Sequence, residues 1–401
     1  MFVQYYDYHL FGFLAANIAT HFFPADEIVT QLLNTYFIMA IAMVAKPLGA
    51  IVLGKIGDLH GRSNSFRISI LGTAAASAIL FAIPSYESIG LVSAFILLLC
   101  RMMICACVTS GSDGVRIYVY EHIDKSRQCL GIGVTALFTQ AGSLTAISSA
   151  WFFTQDSLPD YSWRFAFLLG AAFGFALLIV IRISNFSDNQ QVKSDPKFEE
   201  FRNLPLGLII RSNWKLFLLC LILAGSIGST NQFLIIFFGT YNFEILKTID
   251  RSTMQLYILL AIIAYMAGSL IGGYMADRFG RFRVSMFATI AILVCSILLS
   301  IYLNKMVMNQ WVFFALSFSM PFLTMPSAAI FQESIPIVIR YRLFALSHAI
   351  GSVFISAPTA LLSTWIYQKT ELAWLPICYF MVTILMIAMP LFYLNKIANK
   401  N

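Results

Sequence analysis

Residues 272–283 read "GGYMADRFGRFR", and residues 54–65 read "GKIGDLHGRSNS". In each, an aspartate (Asp277, Asp58) is followed three residues on by a Gly-Arg pair, Gly280-Arg281 and Gly61-Arg62. The two aspartates stand 219 residues apart in a chain of 401, just over half its length. Each stretch is a polar island between apolar runs. The fold follows from asking what kind of chain sets the same turn at the same point of two successive halves.

The answer begins with the solvent. The chain is 59% hydrophobic and 11% charged, with a mean hydropathy of +0.79, whereas a soluble domain carries about 25% charged residues. Such a chain is an all-α integral membrane protein whose first partner is the lipid bilayer, and nothing in it suits nucleic acid. The N-terminus has no basic region, and its first apolar run contains Asp7, His9 and His21, which argues against a cleaved signal peptide. The seven cysteines lie in or beside apolar runs with no C-x-x-C. They read as reduced packing residues, with no metal site.

A spanning helix needs roughly 17–25 mostly apolar residues. That ruler predicts twelve transmembrane helices, at 2–23, 29–53, 67–84, 91–120, 130–153, 163–182, 214–239, 253–276, 284–303, 310–333, 342–366 and 372–394. The fourth is long enough to be tilted or to protrude. With the N-terminus inside, 18 Lys and Arg fall on the cytoplasmic side and 5 on the other, which predicts an N-in/C-in topology. The polar interval 183–213 reads as a cytoplasmic linker, with a short surface helix near 197–211. It separates an N-terminal six-helix bundle at 1–182 from a C-terminal one at 214–401. Six spans lie between Asp58 and Asp277, so both occupy the same cytoplasmic turn of two parallel halves, an organisation found in secondary transporters.

The turn has to be tight, which accounts for its glycines. An aspartate at the end of the second helix of each half can meet the positive end of a neighbouring helix, and the arginines can reach acids or helix carbonyls on the same face. Such contacts would hold the cytoplasmic side of the two halves together and break when it opens.

Both stretches resemble the G-x-x-x-D-R/K-x-G-R-R/K signature of the major facilitator superfamily. The second copy has Gly273, Asp277, Arg278, Gly280 and Arg281; the first keeps Gly54, Asp58, Gly61 and Arg62, with Leu59 and Ser63 at basic positions. Further stretches are similar to the metabolite:H+ symporters of that superfamily, and among them to the proline/betaine type. These are "YYDYHLFGFLAANIATHFFP" (5–24), "KPLGAIVLGKIGD" (46–58), "IPSYESIG" (83–90), "WRFAFLLG" (163–170) and "ESIPIVIRYRLFALSHAIGSVFISAPTAL" (333–361). The resemblance implies the major facilitator fold, alternating access, an inner-membrane multi-pass location, and coupling to a proton gradient with no bound cofactor. Three features depart from it. The fourth span reads "RMMICACVTSG", keeping Arg101 but not the Gln, the Gly pair or the Glu of R-x-x-Q-G-x-x-x-G-G-E. His348 stands where relatives have Asn, and the sequence ends in "NKIANKN" without the coiled coil of some osmosensing relatives.

Ionisable groups inside spans are costly and usually face a cavity. Arg101 lies about ten residues, roughly 15 Å, into its span, which suits either a structural pair with a carboxylate or a transport role. The resemblance links its position to proton coupling or substrate binding. Lys46 either snorkels or, as the family match implies, contacts an anion or carboxylate. Asp7 lies among Tyr5, Tyr6 and Tyr8, aromatics that suit a quaternary ammonium and equally suit packing. Gln140, Asn231, Gln232 and His348 complete the candidate substrate and proton pathway, each also readable as a helix-to-helix hydrogen bond. At the cytoplasmic gate, Asp113 and Arg116 are three apart and able to pair. Glu121 is expected to partner the Arg62 side of the turn, and Glu333 and Arg340 belong to the eleventh-span motif.

These residues predict proton-coupled symport of a small zwitterion such as proline or a betaine, the alternative being a di- or tricarboxylate drawn to Lys46, Arg101 and Arg116. Burial disfavours the charged form of a carboxyl group in general, and Asp7 is the expected proton carrier, with Arg101 lining the same cavity. No P-loop is present, and the five histidines form no H-x-x-x-H or H-E-x-x-H, so neither a primary pump nor an enzyme is expected. The partners are a small-molecule substrate and protons, and the protein is expected to be a monomer.

Overall fold

The computed structural model describes residues 1–23, 27–60, 62–183 and 206–398, with side chains left undescribed at 57–60, 62–63, 109–110, 206, 337–338, 341 and 397–398. Gly61, the side chains of Asp58 and Arg62 in the first turn, and most of the predicted linker therefore lie outside what is described. Within a bilayer core every backbone N–H and C=O must be satisfied by the segment itself, which leaves helices or closed barrels. The described residues form helices throughout and contain no strand.

Eleven of these segments are long and apolar enough to cross a membrane. The first predicted span is not among them. It forms two shorter helices, Phe2–Phe13 and Ala15–Phe22, separated at Leu14 with φ −96° and ψ 11°. The break is slight, since the Leu14 N–H still reaches the Leu10 carbonyl and the Ile18 N–H reaches that of Leu14. The second span is likewise two helices, Ile28–Ala42 and Ala45–His60. Leu91–His122 runs for 32 residues, or about 48 Å at 1.5 Å per residue, longer than the ~30 Å hydrocarbon core.

Two spans carry irregularities that hydropathy does not reveal. After Trp214–Asn231 the chain winds as π-helix over Gln232–Phe237 and again over Tyr241–Ile245. After Ile337–Gly351 it does so over Ser352–Ser356, before Pro358 and the helix Thr359–Thr370. Such turns widen the helix by one residue and are common where a side chain must be re-aimed at a functional site. Of the predicted linker, Leu206–Ser212 is a short helix.

The packing pairs the halves of the chain in two places. Gln128–Phe153 lies along Arg251–Phe279, while Ala45–His60 and Ile28–Ala42 lie against Ile337–Gly351 and Thr359–Thr370. Phe2–Phe13 sits inside this frame, against Gln128–Phe153, Leu91–His122 and Phe165–Ile183, and reaches the π-helical turn at Gln232–Phe237. The outer face is apolar: Leu91, Phe287, Phe354 and Trp311 are each more than 70% exposed. Water would not tolerate so continuous an apolar surface, and lipid does.

Candidate functional site

Tyr8 is the centre of the polar interior. Its helix face repeats at i, i+3 and i+4, so Tyr5, Tyr8 and His9 project together while Tyr6 and Asp7 point elsewhere. The Tyr8 ring lies beneath two cations, Lys46 Nζ at 4.9 Å and the Arg101 guanidinium at 4.7 Å from its centroid. Its hydroxyl accepts from Lys46 Nζ (3.4 Å) and from Gln232 Nε2 (2.8 Å), a residue 224 positions away in the other half. Arg101 is fully buried. It donates through Nη1 to the Tyr8 carbonyl at 2.9 Å and lies 4.8 Å from the Phe11 ring, but its Nε and Nη2 have no hydrogen-bond partner. An unsatisfied charged donor costs several times an ordinary hydrogen bond. A guanidinium presenting two free N–H edges is shaped to take a carboxylate in a forked contact. Nearby, His9 Nδ1 is hydrogen-bonded to Ser143 Oγ at 2.5 Å, and its ring packs against those of Tyr5 and Tyr8.

Twelve residues further along the same helix, about 18 Å at helical rise, lies a second cluster. Asp113 is held between His348 Nδ1 at 2.8 Å and Arg116 Nη1 at 3.8 Å. Arg116 also donates to the Tyr5 hydroxyl at 2.9 Å. His348 comes from Ile337–Gly351, so this cluster, like Tyr8–Gln232, bridges the halves.

Asp7 is placed differently. It is fully buried; Ser77 Oγ donates to its Oδ1 at 2.7 Å, and its Oδ2 has no partner. A Cβ on Gly170 would stand 2.1 Å from Oδ1, so only glycine leaves room for this carboxyl. Among the described residues Asp7 makes no ion pair; Arg101 bonds instead to the carbonyl of the next residue. Tyr6 is also directed away from Tyr8, its hydroxyl donating to the Ala166 carbonyl at 2.8 Å. Gln140 is buried with its Oε1 unpartnered, and Asn231 donates back to the Ile227 carbonyl. Asn231 and Tyr265 line a void of about 20 Å³, room for about one water. A larger cavity of about 570 Å³ opens beside Phe279, Arg283, Phe287 and Phe322. Its walls are apolar lipid-facing side chains, whereas the buried cations lie at Tyr8, and the site is assigned there.

At one end of the bundle the halves are tied by charge. Asp277 accepts from the Cys129 and Leu130 N–H groups at 3.0 and 2.9 Å, the first turn of Gln128–Phe153, where unpaired N–H groups and the helix dipole favour an anion. Arg281 pairs with Glu333 at 2.6 Å and donates to Gln128 at 2.8 Å. Glu121 pairs with Arg340 at 3.1 Å, across to the other half of the chain; the expected contact with the Arg62 side of the turn lies outside the described residues. Gly280 has φ +97°, a turn suited to glycine. Gly273 lies against the Cys129 carbonyl, while Gly54 has open space around it. Arg278 is on the surface, donating to the Tyr274 hydroxyl, and takes no part in the tie. The opposite end is joined by neutral or singly charged bonds, Trp151 to Ser252 at 3.3 Å and Arg251 to Asn17.

Sequence reasoning named Tyr8 only as a neighbour of Asp7 and did not identify His9, Ser77 or Ser143. The i, i+3, i+4 spacing of Tyr5, Tyr8 and His9 was the available signal for the first two. For the serines there was none, since their partners are more than 60 residues away.

The profile of the Major Facilitator Superfamily matches residues 1–337. A putative proline/betaine transporter of Staphylococcus aureus (strain COL) is 26% identical over 386 residues, covering 92% of this chain and 80% of that protein. A citrate-proton symporter of Salmonella typhi is 24% identical over 394 residues, covering 92% and 86%. The proline/betaine transporter of Escherichia coli (strain K12) is 24% identical, covering 95% and 78%. Among solved structures, a D-xylose-proton symporter superposes with a TM-score of 0.70 at 13% identity, over 96% of this chain and 95% of that one. The xylose transporter XylE from E. coli, in a partially occluded inward-open conformation, gives 0.74 at 11% identity, over 98% and 94%. At these identities the superpositions speak for the fold alone.

Proposed function

The chain belongs to the Major Facilitator Superfamily and is a multi-pass protein of the cell membrane, and on that premise we propose that it carries a small carboxylate-bearing metabolite into the cell together with protons, by alternating access. The reading takes the protein as a monomer of two six-helix bundles, 1–182 and 214–401, joined by the linker 183–213, with both termini in the cytoplasm. It requires neither a catalytic group nor a cofactor. The observation that carries it is Arg101, fully buried with two donor nitrogens unpartnered, beside Lys46 over the same tyrosine ring. Two buried cations side by side are an expensive arrangement, relieved when a carboxylate enters. The charged ties around Asp277, Arg281 and Arg340 form the cytoplasmic gate that must part to release it.

The relatives named for proline and betaine support a zwitterion as substrate. One observation favours a second reading, a di- or tricarboxylate: Arg101 and Lys46 both lie over the Tyr8 ring, so that ring is engaged by the protein's own cations before any substrate ammonium arrives. Thermal stability of the purified protein with proline, glycine betaine, citrate and succinate separates the two. Ligand at 100 times its Kd adds about 2.7 kcal/mol to the folded state. A shift with the first pair supports the zwitterion, and a shift with the second pair the organic acid. No shift with any of the four would remove the carboxylate reading.

A further inference from the structure

Resting on that symport reading, we propose that Asp113 and His348 together form the proton-binding element of the transport cycle. The two residues lie on helices from opposite halves of the chain, 235 positions apart, and meet at 2.8 Å. The Asp113 side chain is 1% exposed and that of His348 18%, so the pair is shielded from bulk solvent yet not sealed. Asp113 Oδ1 accepts no hydrogen bond and is free to take one. The π-helical turn Ser352–Ser356 begins four residues after His348, in the helix that carries the imidazole.

The groups facing the pair explain how it would respond to protons. Arg116, on the helix of Asp113, lies at 3.8 Å and is tied to Tyr5 of the first helix. Lys46, from the second span, acts electrostatically on Asp113, and Tyr265, from Arg251–Phe279, acts on Arg116. The Phe344 ring lies 6.2 Å from that of His348. Arg67, Lys215 and Glu333 belong to the Asp277 ends of neighbouring helices, Glu333 being held by Arg281.

Histidine is the side chain whose charge ordinarily changes between about pH 5 and 8. While the halves are joined, Asp113 supplies the counter-charge that lets His348 hold a proton. When they part at the Asp277 end, Asp113 keeps Arg116 but His348 loses its carboxylate, and its proton leaves to the side that has opened. The pair thus gains one proton in the closed arrangement and gives up that same proton after opening. Substrate enters through Lys46: an anion seated on Lys46 and Arg101 cancels positive charge near the pair and raises its hold on the proton. By reciprocity, a bound proton favours the anion to the same degree.

The test uses purified full-length protein in liposomes, with radiolabelled proline, glycine betaine, citrate and succinate as probes, and the variants Asp113→Asn, His348→Asn and His348→Gln. Counterflow without a pH gradient should persist in each variant, lowered to the extent that the lost proton supported substrate binding. Accumulation driven by an inward proton gradient should fall from at least tenfold to simple equilibration, and substrate-induced proton entry, followed with a trapped pH dye, should disappear. Wild-type accumulation that His348→Asn and Asp113→Asn match would overturn the inference alone. A wild type that accumulates none of the four probes would overturn the symport reading and this inference with it. Because the variants could fail to fold, proton uptake on probe binding is also measured on wild type, by calorimetry in buffers of different ionisation enthalpy at pH 6 to 8. About one proton per bound carboxylate is expected, and none would overturn the proposal.

Discussion

Asp7 and Asp113 are both carboxylates without exposed surface in an apolar bundle, and the protein treats them in opposite ways. Asp7 is enclosed by its own half of the chain. Ser77 supplies one hydroxyl, Gly170 supplies room, and among the described residues it makes no ion pair. Asp113 is shared, with Arg116 on its own helix and His348 reaching from the other half. Parting the halves leaves the Ser77 and Gly170 contacts of Asp7 intact and removes one of the two that hold Asp113. A buried carboxyl whose partners move with it is left unchanged when the halves part, whereas one whose partners are divided across a moving interface reports on the motion. The difference between the two aspartates therefore lies in which half owns the neighbours, more than in depth.

The largest effect is expected at the buried cation over the Tyr8 ring. Arg101→Ala removes the forked donor at Tyr8 and should weaken binding of whichever of the four probes binds by about 100-fold or more, as loss of one partner from a buried charged contact does. Titration calorimetry reads it, and unchanged affinity would move the site away from Tyr8. Next is Gly170→Ala, whose methyl group would overlap the Asp7 carboxyl. Overpacking of this kind costs about 1–3 kcal/mol. The thermal midpoint should fall and recover in the double variant with Asp7→Ala; absence of recovery would mean that the pocket is shaped by something other than the carboxyl.

Asp7→Asn is a smaller change, because the amide oxygen can still accept from Ser77. Gradient-driven accumulation should stay within about twofold of wild type, in a site whose hydrogen bond is worth roughly 1 kcal/mol. If this variant equilibrates while Asp113→Asn accumulates, the roles of the two carboxylates are reversed. The smallest effect concerns a third aspartate, exposed at the start of Arg251–Phe279. Asp250 caps that helix, accepting from the Thr253 N–H at 2.8 Å, and this bond holds its carboxyl below the usual carboxylate range. A group depressed in the folded state stabilises above its unfolded value, about 3.9, and loses that contribution as pH falls through the folded value. The thermal midpoint of wild type should therefore decline slightly more steeply below about pH 4 than that of Asp250→Asn, which retains a capping oxygen.

The membrane class, the helical fold and the family were readable along the chain, from apolar run lengths and the repeated Asp-x-x-Gly-Arg turn at 58 and 277. The first span shows the limit of that reading. Hydropathy ran through Leu14 without a mark, because a change of ψ at one apolar residue leaves composition untouched. The π-helical turns after Asn231 and Gly351 were equally silent. Glu121 shows another limit. Its charge and its place at a helix end were plain in the sequence, but its partner Arg340 lies 219 residues away, and naming it required knowing which helices lie side by side.

Lipid as solvent acts on each residue separately, setting how many must be apolar in a row and where lysine and arginine collect, so a linear string is enough to recover those properties. Pairing across the bundle obeys no such local rule. Tyr5, Tyr6 and Tyr8 are the same residue type within four positions, yet one meets Arg116, one meets the Ala166 carbonyl, and one lies beneath Lys46 and Arg101. Asp113 meets a histidine 235 residues away. Those choices depend on the rotation of each helix about its own axis and on its neighbours' approach within a few ångströms, quantities that exist only once all the helices are packed.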